Sequence, residues 1–310
     1  MARHSLHFIA QDPLIAVTYG GGAVLEAAEK VAARANGTAA YLLLQPSWHG
    51  PAQLPDILRA AKLVAAIAPN VRMTVAAATP EDDLLFRRSG LSSIWCNHNA
   101  FLDERIFHPE PDREKLYDAV YVGRLVRMKR HELAAHVPRM AIISGRYEFD
   151  EAYATACISA FDDLRYVNFE PGSGRRQLSA EEVREVLVAS RCGLALSELE
   201  GAMYASAEYL LCGLPVVTTP SKGGRDVFFH PDYVETVEPS QDAVAEAVAR
   251  LNARNLDPWT IHRRTLELAK PHRIRLLMWM SGILQQNLFQ VAGENLWLPS
   301  FVNKLADWSG

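Results

Sequence analysis

Residues 193–224 read GLALSELEGAMYASAEYLLCGLPVVTTPSKGG, and the order of apolar runs, turns and glycines in this stretch decides the fold. Residues 193–197 are an apolar run of the length of a buried strand. Ser197-Glu198-Leu199-Glu200-Gly201 is a turn carrying two carboxylates. Residues 202–212 hold strong helix formers and neither Gly nor Pro, so they predict a helix that stops at Gly213. Residues 214–219 are β-branched after the proline and predict the next strand. Strand, turn, helix, strand is a βαβ unit, and in sheets built this way ligands gather beyond the carboxyl ends of the strands.

The three acids in this unit have different explanations. Glu198 sits where a helix begins, and the macrodipole favours a carboxylate there. Glu208 lies mid-helix among Ala207, Tyr209, Leu210 and Leu211, where the dipole gives no reason for a charge. Glu200 ends the strand-side turn, eight residues before Glu208. That spacing is slightly over two helical turns and would put both on one face, Glu200 at the mouth and Glu208 deeper.

The chain has 310 residues, enough for two α/β domains. Hydrophobic residues make up 49% and charged residues 22%, an ordinary globular balance. The net charge of −4 gives no footprint for a nucleic-acid partner. Cys96, Cys157, Cys192 and Cys212 are scattered without CxxC spacing, as expected of small core residues rather than a disulfide or zinc set. No long apolar run follows Met1-Ala2-Arg3-His4, so no signal peptide is expected. The apolar cluster at 276–284 is interrupted by Ser281-Gly282 and too short to span a bilayer.

Outward toward the N-terminus, residues 14–19 form an apolar run ending in Gly20, Gly21 and Gly22. Residues 23–35 predict a helix stopped by Asn36-Gly37, and 39–44 a second strand. Glycines at such a turn let backbone approach a ligand, and equally make a plain tight turn. This triplet is not the GxGxxG fingerprint. Trp48 and His49 follow the second strand on a loop, where an aromatic and a titratable group suit a sugar ring and a proton; a loop anchored by a buried Trp is the competing reading. Helices at 54–68 and 81–88 and strands at 72–78 and 92–96 complete the pattern. No pair of acids stands at a strand end as a DxD metal motif would: Asp82-Asp83 falls at a helix start and Asp162-Asp163 on a turn.

Residues 97–109 are polar and irregular, as a linker should be. A strand at 119–122 then leads into Gly123-Arg124-Leu125-Val126-Arg127-Met128-Lys129-Arg130, with a helix expected from His131 or Glu132. Four cations within seven residues between a strand end and a helix start suit a diphosphate; a solvated basic turn is the bland alternative. Ser179 with Glu182 is a capping box for a helix at 179–189. Gly223 and Gly224 lie in the loop after the strand at 214–219, placed to offer amides to a phosphate. The tail from 258 onward reads as helical and holds four of the six tryptophans: Trp259, Trp279, Trp297 and Trp308.

Glu200-x7-Glu208, then residues 212–217, then Gly223-Gly224, resembles the C-terminal domain of retaining GT-B glycosyltransferases of glycosyltransferase family 4. The family also carries Gly-Arg-Leu with a Lys five residues after the Arg, matched by Arg124 and Lys129, and a crossing segment similar to residues 97–109. The resemblance implies two Rossmann-like α/β domains facing across a cleft: residues 1–108 on the acceptor side, 109–270 binding the nucleotide sugar, and helices at 271–310 packing back on the first domain. It implies transfer of a sugar from a nucleotide-diphosphate donor to a glycan, polysaccharide, lipid-linked or other hydroxyl acceptor, with retained anomeric configuration.

Within that reading Arg124 and Lys129 neutralise charge on the leaving diphosphate. Glu200 lies by the donor sugar and Glu208 holds the ribose. Gly123, Gly201, Gly223, Gly224, Gly21 and Gly22 supply backbone around the donor, and backbone around Glu170-Pro171-Gly172 holds the base. His49 is a base candidate and Trp48 a sugar-stacking one. The donor is a co-substrate; no cofactor and no metal are expected, since side chains take the metal's role. A cytoplasmic enzyme is implied, with peripheral contact at the inner membrane face as a rival role for the aromatic tail, alongside docking on the first domain. Two departures stand out: Ala202-Met203 where the family has Phe-Gly, and an N-terminal domain shorter than usual. They keep open a non-catalytic relic that binds a partner, and another GT-B enzyme such as a nucleotide-sugar epimerase or a glycan phosphorylase.

Overall fold

The computed structural model describes residues 5–20, 24–144, 150–161, 163–170 and 174–306. Gly21, Gly22, Pro171, Gly172, Asp162 and Trp308, all weighed in the sequence, lie outside those residues. Two compact units divide the chain. The first holds residues 1–103, 200–202 and 268–310, and the second holds 104–199 and 203–267.

The first unit carries a five-stranded sheet ordered β1 (Leu6–Gln11), β2 (Leu14–Tyr19), β3 (Ala40–Gln45), β4 (Val71–Ala77), β5 (Ser93–Trp95). β1 and β2 form an antiparallel hairpin, and every later neighbour is parallel. Parallel strands need crossovers, and α1 (Val24–Ala35), α2 (Gly50–Ile67) and α3 (Pro80–Arg88) supply them. Leu42, Leu44, Val75, Ile57 and Phe86 pack the layer between sheet and helices. β1 is not anticipated by the sequence pattern. It lies at the sheet edge, and most of its residues are half-exposed, so it lacks the continuous apolar run that marks the inner strands.

In the second unit the strands come in the order β6 (Ala119–Gly123), β7 (Met140–Ser144), β8 (Leu164–Tyr166), β9 (Phe169–Glu170), β10 (Gly174–Arg175), β11 (Gly193–Ala195), β12 (Val216–Thr218) and β13 (Val234–Thr236). β9 and β10 are a small antiparallel pair. The main sheet is ordered β13-β12-β11-β6-β7-β8 and is parallel throughout. Helices α4 (Glu151–Ser159), α5 (Ala180–Val188), α6 (Tyr204–Leu211) and α7 (Gln241–Ala253) accompany it; α8 (Pro258–Leu284) begins in this unit, and its residues from 268 on, with α9 (Phe289–Ala292), belong to the first. The α5 capping box is present: Glu182 N–H donates to Ser179 Oγ, and Ser179 N–H to Glu182 Oε2. Two features give the sheet its core: Leu194, Val217 and Tyr121 are all fully buried, and α7 presents Val244, Val248 and Leu251 to the same cluster.

One predicted element differs. The helix expected from His131 is instead two short 3-10 turns, Arg127–Lys129 and His131–Ala134. Arg130 between them has φ of 52°, a left-handed conformation that a right-handed helix cannot propagate through. No helix among the described residues is long and apolar enough to cross a membrane.

The βαβ unit closes because Gly193 leaves room for a ring. A Cβ at Gly193 would lie 2.4 Å from the Tyr209 ring, which is fully buried on α6. Tyr209 Oη also accepts a hydrogen bond from Val122 N–H at 2.7 Å, tying helix to strand. Gly193→Ala should therefore lower the unfolding free energy by about 1–3 kcal/mol, as overpacking does. Urea denaturation checks this, and an unchanged midpoint would mean that the ring has somewhere else to go.

Candidate functional site

In the second unit the strand order reverses at β6 and β11: successive connections run from β6 outward through β7 to β8, and from β11 outward through β12 to β13. A crevice opens at such a reversal, outside the carboxyl ends of the two strands. Gly123 ends β6, Ser197 follows β11, and Thr219 follows β12.

Lys129 is buried at 6% exposure. Its backbone carbonyl accepts a 2.6 Å hydrogen bond from Tyr121 Oη. Its aliphatic stem runs beside Gly123: a Cβ there would sit 3.8 Å from Lys129 Cδ and 3.7 Å from His131 Nε2. Arg124 leaves the strand half-buried. The other two cations of the run have different duties. Arg127 is exposed and reaches Asp150 at 3.7 Å, the solvated role expected of a charge run. Arg130 donates from Nε to Leu196 O at 2.7 Å and from Nη2 to Thr219 Oγ1 at 2.9 Å.

Sequence reading missed Arg225. It has no exposed surface, yet it donates to Ser197 O at 2.7 Å, Thr218 Oγ1 at 2.8 Å and Thr219 O at 2.7 Å, with Asp226 Oδ1 at 2.9 Å from Nε. Arginine is almost never fully buried unless paired, so an Arg after Gly-Gly reads as surface in sequence. The only available signal was its place directly after the glycine loop.

Glu208 is 3% exposed in the middle of α6. Burial pushes the Cys212 thiol up, and the Glu208 charge adds to the effect. Gly223 has φ of 114°, a conformation reserved for glycine, and opens the turn Gly224–Phe228. Lys222 N–H donates to Glu198 O at 2.9 Å, so the glycine loop is fastened to the segment leaving β11. Met203 has left-handed geometry at φ 48° as the N-cap of α6. Non-glycine residues in this region cost of order 1–3 kcal/mol each, and Arg130 and Met203 both lie next to strand or helix ends that carry candidate residues. Gly123, Arg124, Lys129, Glu208, Gly223 and Gly224 thus all belong to one unit, and three of them surround one strand end.

The remaining candidates belong to the first unit. Glu200 is buried at 5% exposure. Gly201 lies against the loop after β3: a Cβ would approach Ser47 O to 2.5 Å and Trp48 N to 3.2 Å. Gly20 faces the same loop, where a Cβ would meet Ser47 Oγ at 3.0 Å. Asn99 Nδ2 donates to Ala202 O. Trp48 is half-buried, and its N–H donates to Gln53 Oε1 at 2.9 Å. His49 does not stand on an open loop as expected. α2 begins at Gly50 rather than 54, and His49 Nδ1 caps it by accepting from Ala52 N–H at 3.2 Å. Asp82 likewise serves structure, accepting from Gly50 N–H at 3.0 Å, and burial raises its carboxyl above the usual range. Among the described residues, no group of three or more His, Cys, Asp or Glu is placed to hold a metal ion.

No protein-family model matches the chain, and no curated protein matches it. Solved structures do. Sucrose-phosphate synthase from Thermosynechococcus elongatus is 17% identical with a TM-score of 0.56, over 86% of this chain and 77% of that one. HepE from Anabaena, in complex with UDP and glucose, is 14% identical with a TM-score of 0.56, over 87% and 77%. A UDP-forming α,α-trehalose-phosphate synthase from Burkholderia xenovorans is 14% identical with a TM-score of 0.50, over 87% and 72%. At these identities the likeness establishes a fold: an α/β fold with parallel sheets, matching GT-B glycosyltransferases.

His131 supplies a test of the buried chemistry beside Lys129. Burial, with the Lys129 charge second, pushes its imidazole from 6.5 down to about 3. The unfolded chain therefore binds a proton below pH 6.5 that the folded chain refuses until about pH 3. Stability is full above that window and falls as pH drops through it. His131→Phe should remove about 2 kcal/mol of the loss seen between pH 7 and pH 5, measured by denaturant melts at each pH. Parallel losses in parent and variant would show that His131 is accessible to protons.

Proposed function

We propose that this chain is a glycosyltransferase that moves a sugar from a nucleoside-diphosphate-sugar donor to a hydroxyl acceptor, retaining anomeric configuration and using no metal. The observation that carries this reading is the gathering of Gly123, Arg124 and Lys129 at the carboxyl end of β6, at the reversal of the parallel sheet. The likeness to nucleotide-sugar glycosyltransferases of the same fold supports it.

Transfer from such a donor releases a diphosphate, so the main physical demand is a fixed positive field where that charge grows. In the proposed site the Lys129 ammonium is held by burial, and the Arg124 guanidinium offers a planar fork. The amides of Gly223 and Gly224 add backbone dipoles. In this reading Glu208, buried in the middle of α6, accepts from the ribose hydroxyls. The acceptor hydroxyl is the nucleophile. Glu200 is a candidate for a donor-sugar hydroxyl. A glycan, polysaccharide or lipid-linked acceptor is consistent with the reading.

Met203 favours a second reading, a nucleotide-binding chain that no longer transfers. A side chain stands where the resembled family carries glycine, and its backbone is left-handed.

Gly123 separates ligand effects from fold effects. A methyl group there would meet only ordinary contacts, at 3.5 Å and beyond. Gly123→Ala should keep stability within about 0.5 kcal/mol while weakening nucleoside-diphosphate binding. Lys129→Met should lower kcat/KM for donor turnover on the order of 100-fold, and Glu208→Gln should weaken the nucleotide without changing the sugar dependence. A screen of nucleotide sugars, with and without hydroxyl acceptors, reads all three. Binding without turnover would establish the second reading, and no binding of any nucleoside diphosphate would overturn both.

A further inference from the structure

The second unit also holds a cavity of about 450 Å³ at the opposite edge of its sheet, lined among others by Lys115, Ser190, Arg191, Leu214 and Pro215. These residues precede β6, β11 and β12, whereas Gly123 ends β6 and Ser197 and Thr219 follow β11 and β12. The cavity therefore opens at the amino ends of the same strands. Its size falls in the range of small-molecule sites, roughly 300–1,000 Å³.

Its charge is one-sided. Three cations line it, Lys115, Arg191 and Arg254, against one acid, Glu110. Glu110 is already engaged by Arg184 at 3.4 Å. Lys115 Nζ donates to Val188 O at 2.6 Å, and Arg254 Nη2 to Asp232 O at 2.6 Å; both partners are neutral carbonyls. Neither cation forms an ion pair among the described residues. Arg191 reaches Asp118 only at 3.9 Å, and that carboxylate is shared with Arg139. Asn252 Nδ2 donates to Asp118 O at 3.1 Å. The half-buried Lys115 is held below its ordinary range by desolvation, with the Arg191 charge adding to the effect and Cys212 and Glu110 opposing it. A bound anion relieves both the desolvation and the Arg191 charge. Leu214, Pro215, Leu256 and Pro258 give the rest of the wall an apolar surface for a small organic body.

We infer that this cavity is a second ligand site that takes a dianionic phosphate group, free or as the ester of a small metabolite, on Lys115, Arg191 and Arg254. The lining cations outnumber the one acid, and a phosphate dianion answers that excess. The inference is independent of the proposed sugar transfer.

Isothermal titration of the full chain in phosphate-free buffer tests it, with inorganic phosphate, glucose 6-phosphate and glucose as probes. Saturable binding of the phosphate-bearing probes, none of glucose, and at least a tenfold loss in Arg191→Gln and Lys115→Met are expected. UDP binding should be unchanged in both variants. Tighter binding of glucose 6-phosphate than of inorganic phosphate assigns the site to an ester, and equal binding assigns it to the free anion. Absence of binding by the unmodified protein, or equal binding in both variants, overturns the proposal. Amide resonances of the unmodified protein give a reading that needs no variant. Shifts at Arg191, Leu214 and Asn252 on adding glucose 6-phosphate support the site, and shifts confined to Gly123 and Gly223 refute it.

Discussion

The carboxyl ends of β11 and β12 must find donors for carbonyls that no further strand residue will pair, and this requirement organises the second unit. Ala195 O takes Thr218 Oγ1 at 2.9 Å, Leu196 O takes Thr219 Oγ1 and Arg130 Nε, and Ser197 O takes Arg225 Nη1. Thr219 O takes Arg225 Nη2. Hydrogen bonds from charged donors contribute about 1.5–3 kcal/mol each, and leaving a buried acceptor unmade costs a comparable amount. Two arginines from distant parts of the chain are thus fixed by the same sheet edge.

The consequences spread from there. Arg130 is drawn into left-handed geometry, which ends the first 3-10 turn and places Lys129 back along Gly123. Arg225 fixes the turn that begins with Gly223 and Gly224. The cations that hold the edge are satisfied by protein carbonyls and hydroxyls. A strained backbone at Arg130 is maintained because its surroundings over-determine it, the usual condition at a working site.

Much of this was legible in sequence. The βαβ unit at 193–218 and the alternation of strands and helices in the first unit followed from apolar runs, β-branched residues and glycine stops, all local signals. The fold class followed as well. What was hidden depends on long-range partners. Arg225 looks like a surface residue until its donors meet the carbonyls of Ser197 and Thr219 and the hydroxyl of Thr218, beside the carboxylate of its neighbour Asp226. His49 looks like a loop base until α2 starts four residues earlier than its apolar pattern suggests and claims its ring nitrogen. The helix after Lys129 was misread because no residue type announces left-handed geometry in an arginine. The cavity at the amino edge was invisible because Lys115, Arg191 and Arg254 are separated by more than sixty residues at each step.

In the proposed function, the carboxyl edge at β6 and β11, with the α6 carboxylate, binds a nucleoside diphosphate. A crystal structure of the protein grown with UDP tests it most directly. The account predicts phosphate oxygens within hydrogen-bond distance of Lys129 Nζ and of the Gly223 or Gly224 amide, with ribose hydroxyls on the Glu208 carboxylate. Density for the nucleotide at any other place in the unit, or Glu208 turned away from the sugar, would contradict it.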